Sequence, residues 1–165
     1  MSLRVVDDPP DRPAWLRETL RLMSEWLGRD RAALLDRVAA ASDADLAAGT
    51  EDDWGIGQIA VHLLVVERGV LGIGLRLARG EAPGPTGQPR PAVGSATRDG
   101  IAALARRAGD TLARAVADFP ADPNTTATAR HPYYGEMNCF GWLLTLPNHY
   151  AAHVGALERG TKSAL

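Results

Sequence analysis

The sequence predicts an all-α protein, a four-helix bundle, in a single domain that spans residues 1–165. Three observations predict this class: four long segments carry helical periodicity, the connections between them are short or rich in proline and glycine, and no segment alternates like a strand. A chain of 165 residues can bury most of the surface that its unfolded form exposes. Four amphipathic helices of this length are typical of a bundle.

The first helix is predicted over residues 13–41, because Pro13 suits a first turn and Asp11 can cap it. Residues 1–12, which precede it, are expected to be extended or mobile. The wide apolar stripe predicted on this helix comprises Trp15, Leu16, Thr19, Leu22, Met23, Trp26, Leu27, Leu34, Leu35 and Val38.

The second helix is predicted over residues 54–79, after an acidic cluster at 51–53 that favours a helix N-terminus. The short connection before it holds one extra helical turn over residues 43–46. Glycines cost about 1 kcal/mol each in a helix interior, so close helix packing is expected to offset them. No strand precedes them, which argues against a dinucleotide-binding role. These glycines are Gly55, Gly57, Gly69, Gly72 and Gly74.

The third helix is predicted over residues 95–119 and the fourth over residues 138–159. A proline-rich and glycine-rich loop without periodicity, at 81–94, precedes the third helix. Pro147 lies inside the fourth helix, which predicts a kink or a fresh start there. The segment HPYYGE at 131–136 indicates a turn anchored by aromatic residues.

Composition narrows the class of function. The formal net charge of -2 gives no electrostatic basis for binding nucleic acid or an anionic membrane. Neither a signal peptide nor an apolar run of transmembrane length is apparent, so a cytoplasmic location is predicted. The single cysteine, Cys139, excludes an internal disulfide and a multi-cysteine zinc site, and core packing is its simplest role.

Three histidines are the candidate site residues. His149 and His153 are four residues apart on the fourth helix and therefore lie on the same face. They are either two ligands of one metal ion or two solvent-exposed polar residues. His62 lies in an otherwise apolar helix, where a histidine is usually a hydrogen-bonded core residue. A role in metal binding requires that His62 lie close to His149 and His153. Three imidazoles from two helices can bind a divalent ion and leave coordination positions open. The HExxH pattern is absent because Tyr150 stands at the position of the base.

The segment WGIGQIAVHL at 54–63, followed far downstream by HYAAH at 149–153, resembles the DinB-like (YfiT-like) metalloenzyme superfamily over most of the chain. The resemblance implies an up-down-down-up bundle in which His62, His149 and His153 bind a divalent metal, commonly nickel or zinc. It also implies chemistry with low-molecular-weight thiols such as bacillithiol or mycothiol, in transfer or isomerisation reactions.

Two functions from different classes follow from this resemblance. One is a metal-dependent enzyme, a thiol-dependent S-transferase or a hydrolase, that acts on a small molecule. The other is a non-catalytic metal-binding or interaction protein of the same fold. The catalytic residues and the residues that would bind a thiol cofactor remain unassigned by the sequence. A homodimer is compatible with either function, because exposed apolar helix faces in such bundles often pair.

Several polar residues are weaker candidates around this site. Gln58 and Thr145 each lie one turn from a proposed metal ligand, and Trp142 lies on the same face of the fourth helix as Thr145. Each of the three is either a residue that lines the pocket or an ordinary residue of a helix contact. Glu67 is expected to form a surface or inter-helix pair with Arg68 or Arg106 rather than to bind metal. His131 is expected to be a turn residue rather than a fourth ligand.

Overall fold

The structure, a computed structural model, describes residues 11–87 and 89–159. Four long helices, one short helix and one small hairpin make up this part of the chain, which confirms the predicted all-α four-helix bundle. The elements are α1 (Ala14–Ala40), α2 (Asp43–Ala47), α3 (Ile56–Ala78), α4 (Arg98–Asp118), β1 (Ala129–His131), β2 (Gly135–Met137) and α5 (Cys139–Arg159). The two strands pair antiparallel, and their three-residue length explains why no alternation was visible in the sequence.

The beginning of α1 lies beside the end of α4. The Arg12 guanidinium donates hydrogen bonds to the carbonyl oxygens of Ala117 and Phe119, at 2.8 and 3.2 Å. At the other end of the pair, Arg98 at the start of α4 donates to the carbonyl oxygen of Val38, at 2.7 Å. The two helices are therefore antiparallel. Arg12 is buried, and residues 1–10 of the segment that is expected to be extended or mobile lie outside the described residues.

Helices α3 and α4 are parallel, joined by the long connection between them. Gly57 at the start of α3 packs against Ala96, just before α4, while Arg79 after α3 pairs with Asp118 at the end of α4, at 3.6 Å. Helix α5 runs the other way, because Gly74 near the end of α3 faces the first turns of α5. The order up-down-down-up is thus present. Helix α5 continues through Pro147, so of the two predicted alternatives, a kink or a fresh start, the fresh start is wrong.

Helix α3 is the central helix of the bundle. By length and composition it could cross a membrane, which corrects the prediction that no run reaches that length. In this fold, 67% of its most apolar window is buried against the other helices. Packing inside the bundle therefore accounts for the apolar character of α3.

The buried face of α1 is narrower than the predicted stripe. Trp15 is 54% exposed, Trp26 is 40% exposed and Thr19 is exposed as well. Each of the two tryptophans precedes a buried leucine by one residue, about 100 degrees away around the helix. A stripe of that width cannot face one core, so these residues lie outside it. The buried residues are Leu16, Leu20, Met23, Leu27, Leu34 and Val38.

The α3 glycines divide into two groups. A Cβ atom on Gly57 would overlap the Leu46 carbonyl oxygen, and one on Gly74 would lie 2.8 Å from a Leu143 methyl carbon. Gly55, the N-cap residue, is similarly close to the backbone that follows α2. A Cβ atom added to Gly69 or Gly72 would have no neighbour within 4 Å, so close packing was the wrong explanation for these two.

Alanine substitution should separate the two groups of glycines. Gly57→Ala is expected to lower the free energy of unfolding by about 2 kcal/mol or more, because the obstructing atom is backbone. Gly69→Ala, at an exposed helix position, should raise it by about 0.5–1 kcal/mol. Urea unfolding followed by circular dichroism measures both changes. Equal effects at the two positions would contradict the packing account.

Candidate metal centre

The three candidate histidines meet where the first half of α3 faces the second half of α5. One ring nitrogen from each of His62, His149 and His153 lies within 4.8 Å of the others. The Nε2 atoms of His62 and His149 are 3.0 Å apart. The ring centroids of the three histidines are 4.7 to 5.1 Å apart. His62 and His149 are 87 residues apart in sequence, so helical spacing alone could not predict that they are close in the structure.

This arrangement fits a divalent metal. A metal–nitrogen bond of about 2.0–2.1 Å places two neighbouring ligand nitrogens roughly 2.8–3.4 Å apart, from octahedral to tetrahedral geometry. The separation between His62 and His149 lies in that range. The His62 Nδ1 atom is 3.2 Å from the Pro89 carbonyl oxygen, to which it can donate its proton. That hydrogen bond leaves the Nε2 lone pair of His62 directed at the other two histidines.

Burial keeps the three imidazoles neutral. It lowers the pKa of His149 to about 3, with further lowering from the charges of His153, His62 and His131. It also lowers the pKa of His153 to about 4, again with a contribution from His62. For His62, burial lowers the pKa and the Pro89 hydrogen bond partly opposes it. Neutral imidazole is the form that binds metal ions, so the site is in its metal-binding protonation state at neutral pH.

Trp54 forms one wall of the site, which the sequence reasoning missed. Its ring meets His62 edge-on, with centroids 4.9 Å apart, and lies parallel to His153 at 6.3 Å. Trp54 lies two residues before the start of α3, so helical periodicity could not relate its ring to His62. His62 and His153 are buried, whereas His149 is only half-buried.

The three weaker candidates make local hydrogen bonds. Gln58 closes the start of α3: its Nε2 donates to the Thr50 carbonyl oxygen at 3.1 Å, and its Oε1 accepts from the Gly55 N–H. Thr145 donates to the Trp142 carbonyl oxygen one turn earlier, at 2.7 Å. Trp142 is buried in the core, and its indole N–H donates to Ala129 of the hairpin. These hydrogen bonds stabilise the two helices that carry the histidines.

Glu67 is fully buried between three helices. Its carboxylate accepts hydrogen bonds from the Arg31 guanidinium of α1 and, at 2.6 Å, from the Tyr150 hydroxyl of α5. The predicted inter-helix pair exists, but a surface location and the partners Arg68 and Arg106 were wrong. The sequence gives no spacing rule for a partner on another helix.

His131 and Cys139 also lie outside the cluster. His131 is buried in the hairpin turn, where its Nδ1 accepts from the backbone N–H groups of Tyr133 and Tyr134. Cys139 is fully buried in the core, and burial raises the pKa of its thiol. The chain therefore brings no thiolate of its own to the histidines.

Comparison with known proteins fits this geometry. Residues 27–157 match the DinB superfamily, a range that contains all three histidines. The chain belongs to the DinB superfamily. A crystal structure of TT2238, described as a four-helix bundle protein, is similar to this DinB protein with a TM-score of 0.65 and 28% sequence identity. The similarity covers 85% of this chain and 98% of that one. A search of curated proteins gave no match.

Proposed function

We propose that this DinB protein binds a divalent metal, nickel or zinc, through His62, His149 and His153, and acts as a metal-dependent enzyme on a small molecule. The observation that carries the proposal is the convergence of three neutral imidazoles from two helices. Three protein ligands leave coordination positions for another molecule, which distinguishes a catalytic site from a closed structural one.

The proposed reaction is a thiol-dependent S-transfer or a hydrolysis. When bound, the metal would supply a positive charge that lowers the pKa of a thiol or of water. The residues of the chain hold the three imidazoles neutral, orient His62 through the Pro89 carbonyl oxygen, and shield one side with Trp54. Because Cys139 is buried, the thiol would be a separate low-molecular-weight molecule.

A non-catalytic metal-binding or interaction protein is the alternative. It is favoured by one observation: the ligand cluster contains no carboxylate, and the buried Glu67 is bound to Arg31 and Tyr150 instead. A general base must reach the proton that it removes. Glu67 is therefore excluded from that role by its hydrogen bonds.

Turnover assays distinguish enzyme from binder. Metal-loaded protein, purified without a histidine tag, should be screened with electrophilic substrates plus bacillithiol, mycothiol or glutathione, and with ester and amide hydrolysis panels. His62→Ala is expected to abolish the turnover because it removes one of three ligands. Thiol-dependent turnover supports the transferase, and thiol-independent turnover supports the hydrolase. Turnover no higher than that of His62→Ala in every assay would favour the binding protein.

We also propose a cytoplasmic homodimer that uses an exposed apolar patch on α1 and α5. Trp15 contacts the ring of Phe140, with centroids 5.9 Å apart, and Leu144 is 61% exposed one turn further along α5. Leu144→Arg should convert dimer to monomer, because a buried unpaired charge is costly at an apolar interface. Sedimentation velocity of both proteins tests this, and a monomeric wild type at micromolar concentration would refute it.

A further inference from the structure

We propose that Trp54 is a positioning residue of the metal centre, whose indole ring holds the imidazoles of His62 and His153 in the arrangement in which they bind the metal. This inference rests on the proposed function, because it concerns how the same site is prepared for its metal ion. It assigns a role in metal affinity to a side chain that supplies no ligand atom.

The indole ring contacts one proposed ligand from each of the two helices. Its centroid is 4.9 Å from that of His62 on α3, with an interplanar angle of 60°. It is 6.3 Å from that of His153 on α5, with an interplanar angle of 8°. Both separations lie within the range of about 4.5–7 Å over which edge-to-face and offset-stacked rings attract each other. Among residues 11–87 and 89–159, Trp54 is the one side chain other than a histidine whose ring contacts the three-histidine cluster.

The chain segment before α3 fixes the Trp54 ring without the help of a metal. The indole Nε1–H donates to the Glu51 carbonyl oxygen at 3.2 Å, and the Trp54 backbone forms an antiparallel bridge with Gly49. The turn between these residues is held by Gln58, which is 1% exposed and donates to the Thr50 carbonyl oxygen at 3.1 Å. The ring is therefore attached to the start of α3, and Gln58 acts on the site through this turn.

Contact with a fixed ring restricts the two imidazoles. A histidine side chain rotates about two single bonds, and each rotation moves its ligand nitrogen. The hydrogen bond to Pro89 sets the tautomer of His62, whereas the contacts with Trp54 relate His62 to His153 across the two helices. A ligand that is already held in position loses little conformational entropy when the ion binds. Groups that orient metal ligands commonly change metal affinity by about 10–100-fold.

A purely structural role for Trp54 is the alternative. Trp54 is partly buried where the turn meets α3, and any large apolar side chain there would stabilise the bundle by burying surface. The two roles differ in what they change. A side chain that only fills space affects the free energy of unfolding, whereas a positioning ring also affects the metal affinity of the folded protein.

Three variants separate the two roles. Trp54→Leu removes the aromatic ring but keeps an apolar side chain, and Trp54→Phe keeps an aromatic ring. Trp26→Leu makes the first change at a tryptophan of α1 that is 40% exposed and that contacts no histidine ring among the described residues. Each protein, without a histidine tag, is titrated with Co²⁺ at a temperature at which circular dichroism shows it to be folded. The visible cobalt absorption gives the affinity.

Trp54→Leu is expected to bind Co²⁺ about tenfold more weakly than wild type, because the two imidazoles must be ordered when the ion binds. Trp54→Phe should recover most of the affinity, and Trp26→Leu should stay within about twofold of wild type. Affinity within about twofold of wild type in folded Trp54→Leu would overturn the inference while leaving the metal centre intact, as would Trp54→Phe as weak as Trp54→Leu. Wild-type protein that binds no Co²⁺ would overturn the proposed function and this inference together.

A second measurement uses the wild-type protein alone and does not depend on a variant folding. In metal-free protein labelled with ¹³C and ¹⁵N, nuclear Overhauser effects should connect the Trp54 indole protons with ring protons of both His62 and His153. Such effects show that the indole relates the two imidazoles before the ion binds. Effects to one imidazole alone, or to neither, would overturn the inference.

Discussion

Replacing His153 with alanine should abolish stoichiometric binding of zinc or nickel while leaving the helical circular dichroism spectrum close to that of wild type. His153 supplies one of the three ring nitrogens that lie within 4.8 Å of one another. Two imidazoles hold a divalent ion far less tightly than three, whereas the stability of a bundle comes mostly from its apolar faces. Elemental analysis after dialysis and calorimetric titration measure the loss. The protein must carry no histidine tag, since a tag brings its own nickel.

The matched control is His131→Asn. It also removes a buried imidazole, but one outside the cluster. It should keep one metal ion per chain. Undiminished binding in His153→Ala would remove His153 from the site, and with it the three-histidine centre. Loss of binding in both variants would show that general disturbance of the fold, and not ligation, controls metal affinity.

The sequence predicted which three histidines cluster better than it predicted the residues that surround them. Helical spacing placed His149 and His153 on one face, and the family resemblance added His62, because the motifs around these residues are local in sequence. Pro89 and Trp54, which contact the rings, come from a loop and from a helix start. Their contacts depend on tertiary packing, for which a single sequence carries no period.

The same limit explains the errors in the rest of the fold. Helix boundaries were within about three residues of those observed, since caps and prolines are local signals. The hairpin was missed because each strand has three residues. The wide α1 stripe included Trp15 and Trp26, since an apolar side chain at a helix edge looks the same in sequence whether it is buried or exposed. Partners across helices, such as Arg31 for Glu67, needed the packed structure.

Replacing Glu67 with alanine should be among the most destabilising single changes in this bundle, by about 3–5 kcal/mol, because it leaves the Arg31 guanidinium without its buried counter-charge. Glu67 is fully buried, and it joins α1, α3 and α5 through Arg31 and Tyr150. Burial, together with the neighbouring Glu67 carboxylate, raises the pKa of Tyr150, so its hydroxyl stays protonated and donates. Guanidinium chloride unfolding measures the free energy.

Two further variants identify the source of that effect. Tyr150→Phe removes one hydrogen bond and should cost about 1–2 kcal/mol, since the ion pair remains. The double variant Arg31→Met with Glu67→Met removes both charges, keeps most of the buried volume and should be more stable than Glu67→Ala. A double variant as unstable as Glu67→Ala would show that the loss comes from packing and not from an uncompensated charge. The Arg31–Glu67 pair would then stabilise the bundle only by filling buried space. Helix α5 carries two of the three histidines, and its position would depend on its apolar contacts alone.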